Sequence, residues 1–233
     1  MNTIITTIND STWAFEEQGV RFFLLAGTET ALLLDSGMMT QNVRELVRSV
    51  TDLPVILMNT HADRDHIAGN HEFAWFYMHP AEAANYYNTQ HAAGTFRPIH
   101  DGQVIDLGDR ELEVITIPGH TPGHVAVLDR RYRALYSGDP VQDGRIFMFG
   151  VQREMHAYRM SLLKLKERAG EFDAIYPCHG TCPVGTDMIA QLYEASGKIM
   201  EGFLPYTVEE VFGNRIRAYD TGCAVFLLDD PQS

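Results

Sequence analysis

Apolar positions along the chain fall in short runs broken by turn residues, and the period within each run sets the expected elements. VRFFLLAGTETALLLDSG reads as two strands joined through the turn-prone Gly27-Thr28-Glu29. QNVRELVRSV then places Val43, Leu46, Val47 and Val50 at helical spacing, and PVILMN follows as a short apolar strand that runs directly into a polar cluster. The order repeats with AWFYM, whose Trp75, Phe76, Tyr77 and Met78 are assigned to core, and with a helix from about Pro80 to Asn88, followed by a looser segment to His100. From Gln103 onward the segments QVIDLG, ELEVITI, HVAVLD and RALYSG, separated by short turns, predict a meander. A helix from about His156 to Ala169 carries Tyr158, Leu162, Leu165 and Ala169 on one stripe. The strand AIYP, a helix from about Asp187 to Met200 and a hairpin around Asp220-Thr221-Gly222 close the chain. Two groups of strands, each flanked by helices, predict two sheets packed face to face with helices outside. No linker or low-complexity tract interrupts the pattern, so one domain spanning 1–233 is expected.

Composition narrows the function classes. The 233 residues are 45% apolar and 10% aromatic, ample for a buried core. With 18 basic and 31 acidic residues the formal charge is −13, so a broad nucleic-acid or anionic-membrane surface would be built against the overall field. No apolar run reaches the ~20 residues of a membrane span, and MNTIITTINDSTW lacks the basic-then-apolar order of a secretory signal. A cytoplasmic location is expected. Three cysteines, Cys178, Cys182 and Cys223, are too few for a disulfide framework; Cys178 and Cys182 could pair, but two buried thiols suit a reducing compartment better.

The candidate chemistry lies in NTHADRDHIAGN, where two histidines and two aspartates fall within six residues. His61 and His66 follow PVILMN, His120 follows ELEVITIPG, His179 follows AIYPC and Asp139 follows RALYSG. Loops at strand ends can converge on one point while the sheets hold them still, so these side chains are expected at one rim of the fold.

In these motifs the chain resembles the metallo-β-lactamase superfamily of metal-dependent hydrolases, over nearly its whole length: LLLDSG, THADRDH, PGHTPGH, SGDP and PCHG occur in the superfamily's order. The resemblance implies an α+β fold, a four-layer αββα sandwich of two mixed β-sheets with helices on both outer faces. It also implies two divalent metal ions, zinc first and iron or manganese as alternatives. His61, Asp63 and His120 would form the first site; Asp65, His66 and His179 the second. Asp139 would bridge the two, and Asp65 and Asp139 are the expected catalytic carboxylates. Asp35 and His124 would support the ligands without touching metal. Arg153, His156 and Tyr158, between Asp139 and His179, would border the substrate cleft.

The departure is Asp63. The usual motif is His-x-His-x-Asp-His, and this chain has His-x-Asp-x-Asp-His. Three carboxylates against two dications sum to about +1, rather than about +2 for the usual set, which makes bound water less acidic. Oxygen-tolerant iron or manganese then competes better with zinc. Flavodiiron proteins carry glutamate at the matching position, but nothing after Cys178 leaves room for their flavin domain.

The expected activity is hydrolysis of a thioester, ester or lactone by a metal-bridging hydroxide. In overall size and in GHTPGH and SGDP the chain is similar to compact glyoxalase II-like thioester hydrolases, although their Gly-Arg-x-Asp run is not reproduced in DPVQDGRIFMFG. The alternatives are a di-iron redox protein or dioxygenase, and a phosphodiesterase. A small-molecule substrate is the expected partner, with no nucleic acid and no membrane; a homodimer remains open. Outside the motifs, Cys178 reads as a buried small residue, and His71, His79, His91 and His100 as loop or surface residues.

Overall fold

The computed structural model describes residues 3–231. Its first sheet has seven strands in sequence order: β1 (Ile4–Asn9), β2 (Thr12–Glu17), β3 (Val20–Ala26), β4 (Ala31–Leu34), β5 (Val55–Met58), β6 (Phe76–Met78) and β7 (Phe96–Pro98). Strands β1 to β4 pair antiparallel, as short turns allow. The helix α1 (Val43–Arg48) lies between β4 and β5 and makes their pairing parallel.

Alternation along these strands separates two apolar layers. Phe22, Leu24, Leu33, Leu57, Phe76 and Met78 face Val43 and Val47 of α1. Phe23, Leu25, Leu32, Leu34 and Met58 point the other way, into the middle of the sandwich. There they meet Leu112, Val114, Val125, Val127 and Tyr136 of the second sheet, formed by β8 (Val104–Asp106), β9 (Glu111–Thr116), β10 (Val125–Asp129), β11 (Ala134–Gly138) and β13 (Ala174–Pro177). Each fully buried Leu or Phe in these layers contributes about 1.5–3 kcal/mol relative to exposure.

The far face of that sheet, with Ile115, Ala126, Leu128, Leu135 and Ile175, packs on α2 (Met155–Glu167) and α3 (Asp187–Met200). The same two helices cover a further four-stranded sheet, in the order β12 (Arg145–Met148), β16 (Val225–Asp229), β15 (Asn214–Asp220), β14 (Thr207–Val211). The four-layer αββα sandwich is therefore present, with its second β layer divided into five- and four-stranded parts.

Three local features depart from the sequence reading. The helix expected from Pro80 is broken into a 3₁₀ turn at Pro80–Glu82 and a π-helical turn at Asn85–Thr89. Strands β1, β2, β7, β12 and β14 lie where the sequence reading placed none. Trp75 and Tyr77 are only half-buried while Phe76 and Met78 are buried, and Arg97 lies 3.7 Å over the Trp75 ring.

One buried ion pair ties the two β layers together. Arg110 donates to Asp129 Oδ2 at 2.6 and 2.8 Å, to the carbonyl of Ala26 in the first sheet and to that of Ser11 in the turn between β1 and β2. Among the described residues no helix is long and apolar enough to cross a membrane.

Candidate metal centre

Parallel pairing brings the polar loops to one edge. β4 and β5 run in register from Ala31 with Val55 to Leu34 with Met58, so Asp35 and the Asn59-Thr60-His61 segment leave the sheet side by side. β11 and β13 do the same from the second sheet, and a register shift between Tyr136 and Gly138 sets Asp139 beside Cys178 and His179. The Val125 amide donates to the Thr60 carbonyl at 2.9 Å, joining the two layers at this rim.

The five loops converge. His61 Nε2 lies 3.6 Å from Asp63 Oδ2 and 3.8 Å from Asp139 Oδ2; His120 Nε2 lies 3.4 and 3.5 Å from the same two oxygens. A second set repeats the arrangement: His66 Nε2 is 3.5 Å from Asp65 Oδ2 and 3.3 Å from Asp139 Oδ1, and His179 Nε2 is 3.3 and 3.4 Å from Asp65 Oδ2 and Asp139 Oδ2. Donors bonded to one tetrahedral ion at ~2.0–2.2 Å stand ~3.3–3.6 Å from each other, which is the spacing of both sets apart from the slightly longer 3.8 Å between His61 and Asp139. The Nε2 atoms of His61, His66 and His120 and the Oδ1 of Asp139 are buried without a hydrogen-bond partner. Buried polar atoms are nearly always satisfied, so these atoms fit a cation among them.

The opposite ring nitrogens are held by the protein. His120 Nδ1 donates to the Phe147 carbonyl and His179 Nδ1 to the Gly19 carbonyl, each at 2.9 Å. His66 Nδ1 is 2.9 Å from Asp35 Oδ2. Thr60 Oγ1 gives its proton to Asp35 Oδ2 and so accepts from His61 Nδ1 at 2.9 Å. In every case the proton on Nδ1 leaves the Nε2 lone pair turned inward. Asp35 also accepts from the Thr60 amide at 2.7 Å, is fully buried, and has a φ of 66°, so its two oxygens are taken up by Thr60 and the His66 ring.

Electrostatics shows the same demand for a cation. Against the cost of burial, the Asp139 carboxylate, with Asp65 and Asp35, holds His66 well above its ordinary value. Burial is likewise outweighed at His179, pushed up to about 10 by Asp139 and Asp65. Asp139 is held well below the carboxylate range, despite burial, by His179, His66 and His61. At His66 and His179 protons thus take the place of positive charge that the carboxylates attract. Burial and Arg153 instead hold His120 below its ordinary value, and burial with the neighbouring His61 and His120 holds His124 well below its own. His124 stacks on His61 at 4.6 Å and accepts the Asp139 amide at 3.3 Å. Gly138, with φ +62°, lets this ring in, since a Cβ there would lie 2.4 Å from His124 Cε1.

The expected substrate contacts fare unevenly. Tyr158 is fully buried in the core and donates to the Pro140 carbonyl at 2.8 Å, so it does not face a cleft; its stripe neighbours Leu162 and Leu165 on α2 carry it inward. His156 is exposed at the start of α2. Arg153 reaches the centre but is already engaged: its Nη2 is 2.6 Å from Asp63 Oδ2, and its Nη1 donates to the His120 carbonyl. Cys178 is buried 3.6 Å from Asp35 Oδ2, with its thiol pushed up by burial, and the cysteines are free thiols. His71 is exposed and bonded to the Ala68 carbonyl.

Sequence reading missed Glu82. Its fully buried carboxylate accepts the Ala62 amide at 2.9 Å and the Gly123 amide at 2.7 Å, clamping the His61 loop to the His120 loop. It also missed Asn85, which donates to Asp63 Oδ1 at 2.9 Å. Both come from the broken helical segment after β6, where amphipathic spacing gave no signal for an inward polar group.

The chain is 28% identical to the acyl-coenzyme A thioesterase MBLAC2 of Gallus gallus, over 71% of this chain and 74% of that one. It is 27% identical to the Homo sapiens protein of the same name over 57% and 62%, and 32% identical to a hydroxyacylglutathione hydrolase of Gloeobacter violaceus over 61% and 56%. The chain thus spans less than two thirds of the length of the last two. Among solved structures, a metallo-beta-lactamase from Pontibacter korlensis superposes with a TM-score of 0.70 at 17% identity, covering 84% of this chain and 99% of that chain, which shows a shared fold. The sequence model of the Metallo-beta-lactamase superfamily matches residues 17–179, the span that holds every residue of the two donor sets, and the chain belongs to that superfamily.

Proposed function

We propose that the chain, as one catalytic domain, is a hydrolase that holds two divalent ions, zinc foremost, and cleaves thioesters. The observation that carries the proposal is the pair of donor sets sharing Asp139, with three buried imidazole nitrogens turned toward their centres. His61, Asp63 and His120 would hold one ion, Asp65, His66 and His179 the other, with Asp139 common to both. When bound, such a pair supplies a water activated near neutral pH and a Lewis acid for the carbonyl under attack. The chain's own residues supply the rest. Asp35, Thr60, Phe147 and Gly19 fix each imidazole in one tautomer, and Glu82 holds two ligand loops at a constant separation.

Thioesters are favoured among hydrolysable bonds because the similar acyl-coenzyme A thioesterase and hydroxyacylglutathione hydrolase are named for them. A small-molecule substrate and a cytoplasmic setting accompany this reading, in keeping with the free cysteines. The test is elemental analysis of protein purified without added metal, then assay of acyl-coenzyme A and hydroxyacylglutathione thioesters, a lactone and a phosphodiester with the metal found. Thioester cleavage that is lost on chelation and regained on adding metal supports the proposal; cleavage of the phosphodiester alone removes it. The oxygen donor Asp63 favours one rival, a di-iron redox protein. Iron together with oxygen-dependent turnover would establish that rival instead.

A further inference from the structure

Resting on the two-metal reading, we propose that Arg153 neutralises Asp63, so that the Asp63–Arg153 pair serves the first site as a composite donor with the charge of a neutral imidazole. Counting ligand carboxylates alone gives the His-x-Asp-x-Asp-His centre one negative charge more than the usual motif. The folded chain offsets that charge from outside the motif. Arg153 lies 90 positions downstream of Asp63, yet its Nη2 stands 2.6 Å from Asp63 Oδ2. That same oxygen faces His61 Nε2 and His120 Nε2 at 3.6 and 3.4 Å.

The pair is shielded and oriented. The Asp63 and Arg153 side chains are 18% and 14% exposed, so solvent screens the guanidinium far less than it would on an open surface. Arg153 Nη1 donates to the His120 carbonyl, and Asn85 Nδ2 holds Asp63 Oδ1 at 2.9 Å. Both carboxylate oxygens thus have a protein partner, and Oδ2 keeps an open direction toward the imidazoles. Asp63 is held well below the carboxylate range, against burial, by His120, His61 and Arg153. Arginine suits this role because its charge is permanent and its fork reaches two acceptors at once. The same engagement removes Arg153 from the groups free to bind an anionic substrate.

The consequence is that histidine in place of Asp63 does not improve zinc binding while Arg153 is present, since the guanidinium is then left uncompensated beside a dication. The experiment measures zinc stoichiometry and first-site affinity by chelator competition for wild type, Asp63→His, Arg153→Met and the double variant. The exposed Arg64, beside the motif, provides a charge control as Arg64→Met in the Asp63→His background. Asp63→His alone should weaken the first site about tenfold or more, and Arg153→Met alone should tighten it. The double variant, neutral again, should return to within about threefold of wild type, whereas Arg64→Met should give no such rescue.

Zinc held by Asp65, His66 and His179 serves as the internal check that each variant is folded. If Asp63→His fails that check, Asp63→Asn with and without Arg153→Met repeats the test. Wild-type affinity in Asp63→His, or a double variant no better than that single variant, overturns the compensation while leaving the two-metal reading intact. A wild-type protein that binds no divalent ion overturns both.

Discussion

Glu82→Gln is the substitution whose effect can be worked most directly from the structure. The carboxylate is fully buried and accepts one amide on each oxygen, Ala62 at 2.9 Å and Gly123 at 2.7 Å. Glutamine keeps the shape but only one acceptor oxygen, so either way round one of those amides faces an N–H group. Orphaning one buried donor costs about 1–3 kcal/mol, and Glu82→Ala, which orphans both, about 2–6 kcal/mol before any cavity is counted. Against a total stability of about 5–15 kcal/mol for a typical domain, the alanine variant is expected to be severely compromised and the glutamine variant to remain folded. The assay is urea denaturation of metal-stripped protein, in which Glu82→Gln should lower the midpoint without changing the slope. Because the clamp joins the loops of His61 and His120, the same variant should release metal from the first site faster than from the second. A midpoint equal to wild type would refute the assignment of Glu82 as the clamp between those loops.

Asp63→Ala should empty the first site more readily than the second, and equal metal content in variant and wild type by elemental analysis would take Asp63 off the ligand set. Asp139→Ala removes the one carboxylate common to both sets and should abolish thioester turnover; retention of most activity contradicts its shared role. The surface network in which Arg168 binds Glu113 at 2.8 and 2.9 Å and Glu171 at 2.7 Å predicts a pH dependence. The Arg168 guanidinium holds the Glu171 carboxyl down to about 2 from its ordinary 4.5, so the stabilisation is complete above 4.5 and is lost as pH falls toward 2. Arg168→Ala should therefore cost under about 1 kcal/mol at pH 7, and its melting curve should approach that of wild type as the pH drops below 4.5.

What the sequence determined by itself was local and additive. The period of Val20–Ala26 and Ala31–Leu34 defined two strands, the stripe on Met155–Glu167 a helix, and the placing of His61, His66, His120, Asp139 and His179 just after apolar runs predicted one common rim. Such signals survive without tertiary information because burying one face of an element needs only the spacing of its own residues. What tertiary structure alone decided was the company each ligand keeps. Tyr158 went to the core and Arg153 to Asp63, although both lie in the same stretch of the chain, because Arg153 sits in the loop before α2 while Tyr158 lies on the inward stripe of the helix. Glu82 became a clamp, and Phe147 and Gly19 became carbonyl acceptors for ligand imidazoles, through contacts spanning 20 to 160 positions. No period or motif encodes such contacts. They follow from how two sheets pack and which loops that packing brings within hydrogen-bonding reach, and the charge balance at the rim is set there.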